Sequence, residues 1–430
     1  MSVNLVIKRL INCIVVVVLT SVLLVKMTEL LEKKESVSKY ADFFDQKEDF
    51  DVLFFGTSHM LNAVFPMELW NDYGIVSYNF GGHGNEIATS YWVMENALDY
   101  TSPKLVVFDC QKLGSSVKSG LNFSYLHLSF DAFKLSTTKI RSICDLLDDS
   151  VWDANPDILE ATRQGEQRTK LGLLWDYSVY HSRWSEICEE DYVIDKNLEK
   201  GAESRINVTE GQLSKIPSNQ KMDPDGSMGV DYLKRAIEVC QANNIEVLLT
   251  YLPFPANEEE QEAANYAYDL SQEYGVDYIN FLDMDVIDYN TDLYDEDSHL
   301  NPSGARKVTD FLGKYILEHY NVDNEKSNPQ YADWNSDYLQ YIDLKNQHIK
   351  HENDIKNYLM LLSGDDIDVN VTIGDQRILD NVQMKHLLDN IGCNIEMVEN
   401  ADDYDIHIVV TRDDEIVDEI YYDTNSLYHN

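Results

Sequence analysis

The strongest constraint on this 430-residue chain is an alternation of strand-like runs, the first of them continuously apolar, with helix-like stretches. The runs are "DVLFFG" (51–56), "IVSYNFG" (75–81), "PKLVVFDC" (103–110), "IEVLLTYLP" (245–253) and "DYINFLD" (277–283). Between them lie helix-like segments such as "PMELWNDYG", "NEIATSYWVMENALDY", "GVDYLKRAIEVCQANN" and "NEEEQEAANYAYDLSQEYG". A strand with no polar alternation is buried on both faces, and strands separated by helices pair in parallel. The pattern therefore predicts an α/β fold with a parallel sheet and helices on both sides.

A chain this long exceeds one ordinary core. The first segment, residues 1–35, is expected to be a signal anchor and neck. Its uncharged run from Leu10 to Val25 is flanked by Lys8, Arg9 and Lys26. Such a run covers roughly 24 Å of helix, and the long basic stems can reach the interfaces at both ends. No small-residue cleavage site follows, which favours a retained single-pass anchor through residues 10–25. The body carries no second span, so it is expected outside the cytoplasm, on the cell membrane.

Residues 36–325 hold the strand and helix alternation. It is interrupted at 115–225 by a Ser-, Asp- and aromatic-rich insertion expected to wall a cleft. After the polar linker "NVDNEKSNPQ", residues 326–430 read as a small α+β accessory domain. Its core would be Val369, Val371, Ile373, Ile406, Ile408 and Val410, placed at the strand period of two. Because the motif loops are complete by Gly304, a chain ending at Asn324 is expected to fold and to keep its chemistry.

Lys plus Arg total 34 against 76 Asp plus Glu, a net charge of −42. That excess repels phosphate backbones and argues against nucleic acid as a partner. The six cysteines show no paired-ligand spacing, so neither a disulfide framework nor a zinc site is expected. No metal and no organic cofactor is called for.

Ligands of a parallel sheet bind at the carboxyl ends of its strands. Three loops there carry chemistry. Gly56-Thr57-Ser58-His59 ends the first strand and presents a hydroxyl. "YNFGGHGNE" follows the second, with Gly81, Gly82 and Gly84 allowing backbone N–H groups to approach a developing oxyanion. "DLYDEDSHLNPSGARKVTDFL" supplies His299 as a base, just before a helix capped by Asn301 and started by Pro302. Asp295, Glu296 and Asp297 precede the histidine, and any of them could orient it. His59 and His83 are expected only to line the cleft.

In this order, the three loops resemble the blocks of the SGNH (GDSL-like) hydrolase family over roughly residues 50–320. "GTSH" is similar to the nucleophile block, "NFGGHG" to the second, and "DEDSHLNPSGA" to the last. "LWNDYGIVSYNFG", "HSRW" and "SHLNPSGARKVTDFLG" resemble the membrane-anchored extracytoplasmic branch found in Firmicutes. The resemblance implies a flavodoxin-like three-layer αβα sandwich. It implies Ser58 as nucleophile, His299 as base and Gly84 as oxyanion glycine. Asp295, or Asp297, would be the third member, since the family's Asp-x-x-His spacing falls here on Glu296. It also implies no cofactor.

The function implied is that of a serine esterase or O-acyltransferase working through an acyl-serine. Its acyl groups, acetyl or D-alanyl in relatives, would belong to cell-envelope polysaccharide or teichoic acid. A multi-pass membrane acyltransferase would be a partner. The family's third block carries an oxyanion Asn, whereas the third strand here runs "LVVFDCQKLG" without one. The alternative is therefore a non-catalytic envelope scaffold or polysaccharide-binding protein.

Overall fold

The computed structural model describes residues 3–47, 49–118, 123–147, 170–175, 177–296, 299–398, 404–423 and 426–429. The chain divides into two compact units. One joins residues 1–45 to 119–197, and the other joins 46–118 to 198–430.

In the smaller unit, the helix Val3–Leu31 contains a stretch, Val6–Leu31, long and apolar enough to cross a membrane. A second helix, Lys34–Asp45, buries Tyr40 and Phe43. The Tyr40 and Phe44 rings both lie 5.6 Å from that of Phe133. The residues that follow the apolar helix thus supply part of this unit's core.

The larger unit is built on a five-stranded parallel sheet, β1 (Val52–Phe55), β2 (Ser77–Asn79), β3 (Leu105–Asp109), β4 (Glu246–Tyr251) and β5 (Asp277–Asn280). Its order, β2-β1-β3-β4-β5, is that of the flavodoxin-like doubly wound sheet. Val52 pairs with Ser77 on one side and Leu105 on the other. Val52, Phe54, Leu105, Val107 and Leu248 share a core with Val308, Leu312 and Ile316 of the helix Pro302–His319. The alternate residues face the other side, where the helices Ile87–Ala97 and Met228–Ala242 pack together. The order reverses between β1 and β3, which opens a crevice at their carboxyl ends.

The larger unit also holds a second, mixed sheet, in the order β10-β9-β8-β6-β7. Its strands are β6 (Asp368–Ile373), β7 (Asn394–Met397), β8 (Ile406–Arg412), β9 (Glu415–Asp423) and β10 (Ser426–His429). The six residues expected to form its core are buried, together with Tyr358, Leu359 and Leu387. The acidic run after Arg412, which reads as a polar rim, instead forms a hairpin. Its turn puts Asp413 and Asp414 at φ 51° and 66°, and Val417 and Ile420 of β9 enter the core. Asp-Asp is a weak form of the Asn-Gly signal for such turns, so the sequence conceals it.

A buried ionic cluster ties this second sheet to the first. Lys345 Nζ lies 2.8 Å from Glu68 and 2.5 Å from Asp365. Arg412 lies 2.9 Å from Asp365. Arg306 donates to the carbonyls of Leu361 and Ser363 at 2.8 and 2.7 Å. The Asp365 side chain is 1% exposed. Burial alone would raise its pKa, but Lys345, Arg306 and Arg412 outweigh burial and hold it well below the usual carboxylate range. Glu68 and Arg306 belong to helices that pack with the parallel sheet, so the expected independence of residues 326–430 meets a shared charged core.

Candidate active site

Ser58 opens a short helix, Ser58–Ala63, directly after β1. Thr57 caps that helix, its hydroxyl accepting the His59 N–H at 3.1 Å. Gly56 is required by the approach of β3: a Cβ there would meet the Asp109 Cβ at 2.8 Å and the Met60 Cβ at 2.9 Å. The strand thus ends in a turn with no room for a side chain, and the next positions project the hydroxyls.

The glycine loop lies over this turn. Gly82 N–H donates to the Gly56 carbonyl at 3.2 Å. A Cβ on Gly81 would come 2.3 Å from the Leu61 nitrogen, so the loop could not sit there with any larger residue. Asn79, at the end of β2, donates to the carbonyls of Met60 and Val64 and accepts from Gly81 N–H, each at 2.8 Å. It locks the loop to the helix that Ser58 begins. Gly84 occupies the following turn with φ 60°.

The histidine arrives from the far end of the sequence. Asn301 caps the helix Pro302–His319 through Oδ1, and its Nδ2 donates to the carbonyls of Thr291, Leu293 and Asn207. One side chain therefore both starts the helix and closes the loop carrying His299. His299 Nε2 lies 2.8 Å from Ser58 Oγ. Its Nδ1 lies 2.6 Å from Asp295 Oδ2, and its backbone N–H donates to Asp295 Oδ1 at 3.0 Å. Of the two described acids among the three considered, Asp295 is on the imidazole. Glu296 is exposed, and Asp297 lies outside the described residues.

Neighbouring groups set the electrostatics. His59 is buried, its ring edge-on to Phe254 at 4.5 Å and 5.6 Å from His299. Burial first, then the charges of His299 and Lys112, lower its pKa to about 3. His59 therefore stays neutral and lines the site. His83 Nε2 meets Glu203 at 2.9 Å, and Arg205 donates to the same carboxylate at 3.0 Å. Burial would raise Glu203, but His83 and Arg205 bring it down to about 2. The Arg205 guanidinium lies 5.5 Å from the ring centre of Tyr294, next to Asp295. A chain of contacts thus runs from the glycine loop to the histidine loop. No motif marks Glu203 or Arg205, and the sequence alone does not find them.

Two further groups stand at the end of β3. Asp109 is buried, and burial outweighs the N–H groups of Leu252, Gln111 and Cys110 to raise its pKa to about 7. The Thr57 hydroxyl lies 2.9 Å from Gln111 Oε1. That hydroxyl accepts the His59 N–H and donates its hydrogen to Oε1. With Oε1 engaged by Thr57, the donor that the Gln111 side chain offers is its NH2 group. Among the described residues, no cluster of His, Cys, Asp or Glu is placed to hold a metal ion.

No family model and no curated protein matches the chain. Among solved structures, it is similar to the 2.00 Å crystal structure of a "putative acylhydrolase" from Bacteroides fragilis NCTC 9343. Identity is 12% and the TM-score 0.32, over 67% of this chain and 98% of that one. The likeness is remote.

Proposed function

We propose that this protein is a membrane-anchored serine acyl-transfer enzyme of the SGNH type. The observation that carries the reading is the line Ser58–His299–Asp295, with contacts of 2.8 and 2.6 Å. Asp295 accepts the Nδ1–H and fixes the tautomer, leaving Nε2 to take the serine proton. Ser58 Oγ attacks an ester carbonyl, and the tetrahedral oxyanion forms. His299 then returns the proton to the departing alcohol oxygen, leaving an acyl-serine. A sugar hydroxyl (transferase) or water (esterase), deprotonated by the same Nε2, attacks the acyl carbon and frees the serine.

The oxyanion donors are the backbone N–H groups of Ser58 and Gly84, joined by the Gln111 amide. Gln111 takes the place of the Asn absent from the third strand. The helix Val6–Leu31 anchors the protein, with the catalytic residues outside the cytoplasm. The acyl groups are those of cell-envelope polysaccharide or teichoic acid, handed over with a multi-pass membrane acyltransferase as partner.

The test is reaction of the full chain with a fluorophosphonate, read by mass spectrometry of the Ser58 peptide. A phosphonyl adduct on Ser58, lost in His299→Ala, is expected. Absence of an adduct from the folded wild-type chain would leave a non-catalytic scaffold as the better account.

A further inference from the structure

The smaller unit bears an exposed aromatic surface at the exit of its apolar helix. Val6–Leu23 is exposed along its whole length, roughly 27 Å of helix at ~1.5 Å per residue. Partial burial begins at Leu24 and is complete at Leu31. The segments that pack there are Tyr177–Tyr180 and the short turns His181–Ser185 and Glu189–Tyr192.

Arg183 fixes them to the helix end. Its Nη1 donates to the carbonyls of Leu31 and Glu32 at 2.6 and 3.0 Å, and its Nη2 meets Asp191 at 2.8 Å. Asp191 in turn accepts the Cys188 N–H at 3.1 Å. The next residue after each member of this pair is a large exposed aromatic: Trp184 is 69% exposed and Tyr192 71%. Val193 and Ile194 continue the surface, both more than half exposed.

A soluble surface gains nothing by holding a tryptophan, a tyrosine and two β-branched side chains together in water. The same residues at the mouth of a spanning helix are in their preferred place. Tryptophan and tyrosine favour the membrane–water interface, where the ring body meets apolar chains and the polar tip stays wet. The turns that carry these residues are held at the end of the same helix, where its uninterrupted exposure has given way to burial, so a bilayer crossed by the helix has its edge near them. The arginine that binds them is satisfied within the protein, which leaves the aromatic side chains as the contacts offered outward.

We infer that Trp184, Tyr192, Val193 and Ile194 form an interfacial collar that rests in the headgroup region of the bilayer crossed by Val6–Leu31. The inference rests on that helix being membrane-spanning. It holds whether or not Ser58 is catalytic. The collar would fix the smaller unit's height and tilt at the membrane, where a single helix alone could swivel.

The test uses the full chain in phosphatidylcholine–phosphatidylglycerol vesicles, with the lipid either unmodified or brominated near the headgroup end of its acyl chains. The chain is expected to float with the vesicles. Brominated lipid is expected to quench wild-type tryptophan emission, with clearly less quenching in Trp184→Phe and more in Tyr192→Trp. A chain that floats but shows the same quenching in all three forms overturns the collar and leaves this surface to a protein partner. A chain that does not float overturns the spanning helix, and the collar with it.

Discussion

The two sheets of the larger unit are buried in different ways. β1 and β3 are buried at every position, whereas β6 alternates between exposed and buried residues. A strand covered on both faces can offer chemistry only at its ends. Here it does so at the reversal between β1 and β3, where Ser58, Gln111 and Asp109 gather. A strand covered on one face needs a partner layer. The second sheet finds it in the helices Ile355–Leu362 and Val382–Ile391, and its ionic residues turn toward the first sheet's helices. One sheet positions reacting groups, and the other supplies a buried electrostatic clamp.

The sharpest way to break this division is at Ser58. Ser58→Ala is expected to lower ester turnover by roughly 10⁶-fold, the loss that removal of a triad nucleophile brings. Its cost in stability should be about 1 kcal/mol or less, that of one hydrogen bond. Turnover of p-nitrophenyl acetate and a thermal melt of the same sample check both halves. Full turnover in the folded variant would remove Ser58 from the chemistry.

The clamp predicts the opposite profile. A chain ending at Asn324 would strip Lys345 and Tyr341 from Glu68, the Leu361 and Ser363 carbonyls from Arg306, and the Trp334 ring from Phe50 and Trp70. Exposing the buried Phe50 and Trp70 faces and losing this ionic network removes a large share of a typical total stability of about 5–15 kcal/mol. The shortened chain is therefore expected to be insoluble or unfolded. If it instead folds and cleaves esters at the full-length rate, the second sheet is an independent domain, as its linker and self-contained apolar pattern suggest. Lys345→Met in the full chain is the milder form, expected to lower the melting temperature while sparing kcat.

Within the first sheet, Gln111 separates the chemistry of a strand end from its packing. Gln111→Ala should lower kcat by about 10²–10³-fold with KM little changed, as for loss of one oxyanion donor. Gln111→Glu, which keeps the bond from Thr57 and replaces the donor by an acceptor, should be at least as slow. Equal rates in all three proteins would assign the oxyanion to backbone N–H groups alone.

What was legible in the sequence follows the same contrast. β1, β3 and β4 announce themselves as largely apolar runs, β2 and β5 follow from their place between helix-like segments, and strand-end logic then singles out Ser58 and His299. β9 stays hidden because Glu415, Asp418, Glu419 and Asp423 dilute its apolar residues and its turn lacks glycine. The clamp is equally hidden, since Glu68, Arg306, Lys345, Asp365 and Arg412 each read as ordinary surface charges. Gln111 and Glu203 depend on contacts across 54 and 120 residues of chain, to Thr57 and His83. No local pattern encodes an approach of that length.

The smallest expected effect concerns protons at the same crevice. Two buried groups there hold opposite preferences. Asp109 has its pKa raised from 3.8 to about 7, so between those values the folded chain keeps a proton that the unfolded chain releases. Its contribution to stability therefore declines as pH rises toward 7. His59 has its pKa lowered from 6.5 to about 3, so between those values the unfolded chain binds a proton that the folded chain refuses. Its contribution improves as pH rises toward 6.5. Between about pH 4.5 and 6 the two slopes oppose each other, and each is worth about 1.4 kcal/mol per pH unit. Asp109→Asn removes one of them. Relative to wild type, the variant's stability should climb by up to about that slope across this window, then gain no further above pH 7. Urea unfolding at half-unit steps of pH measures it directly. Parallel curves for the two proteins would mean that Asp109 is already ionised in the folded chain, and that the strand end is better solvated than its burial implies.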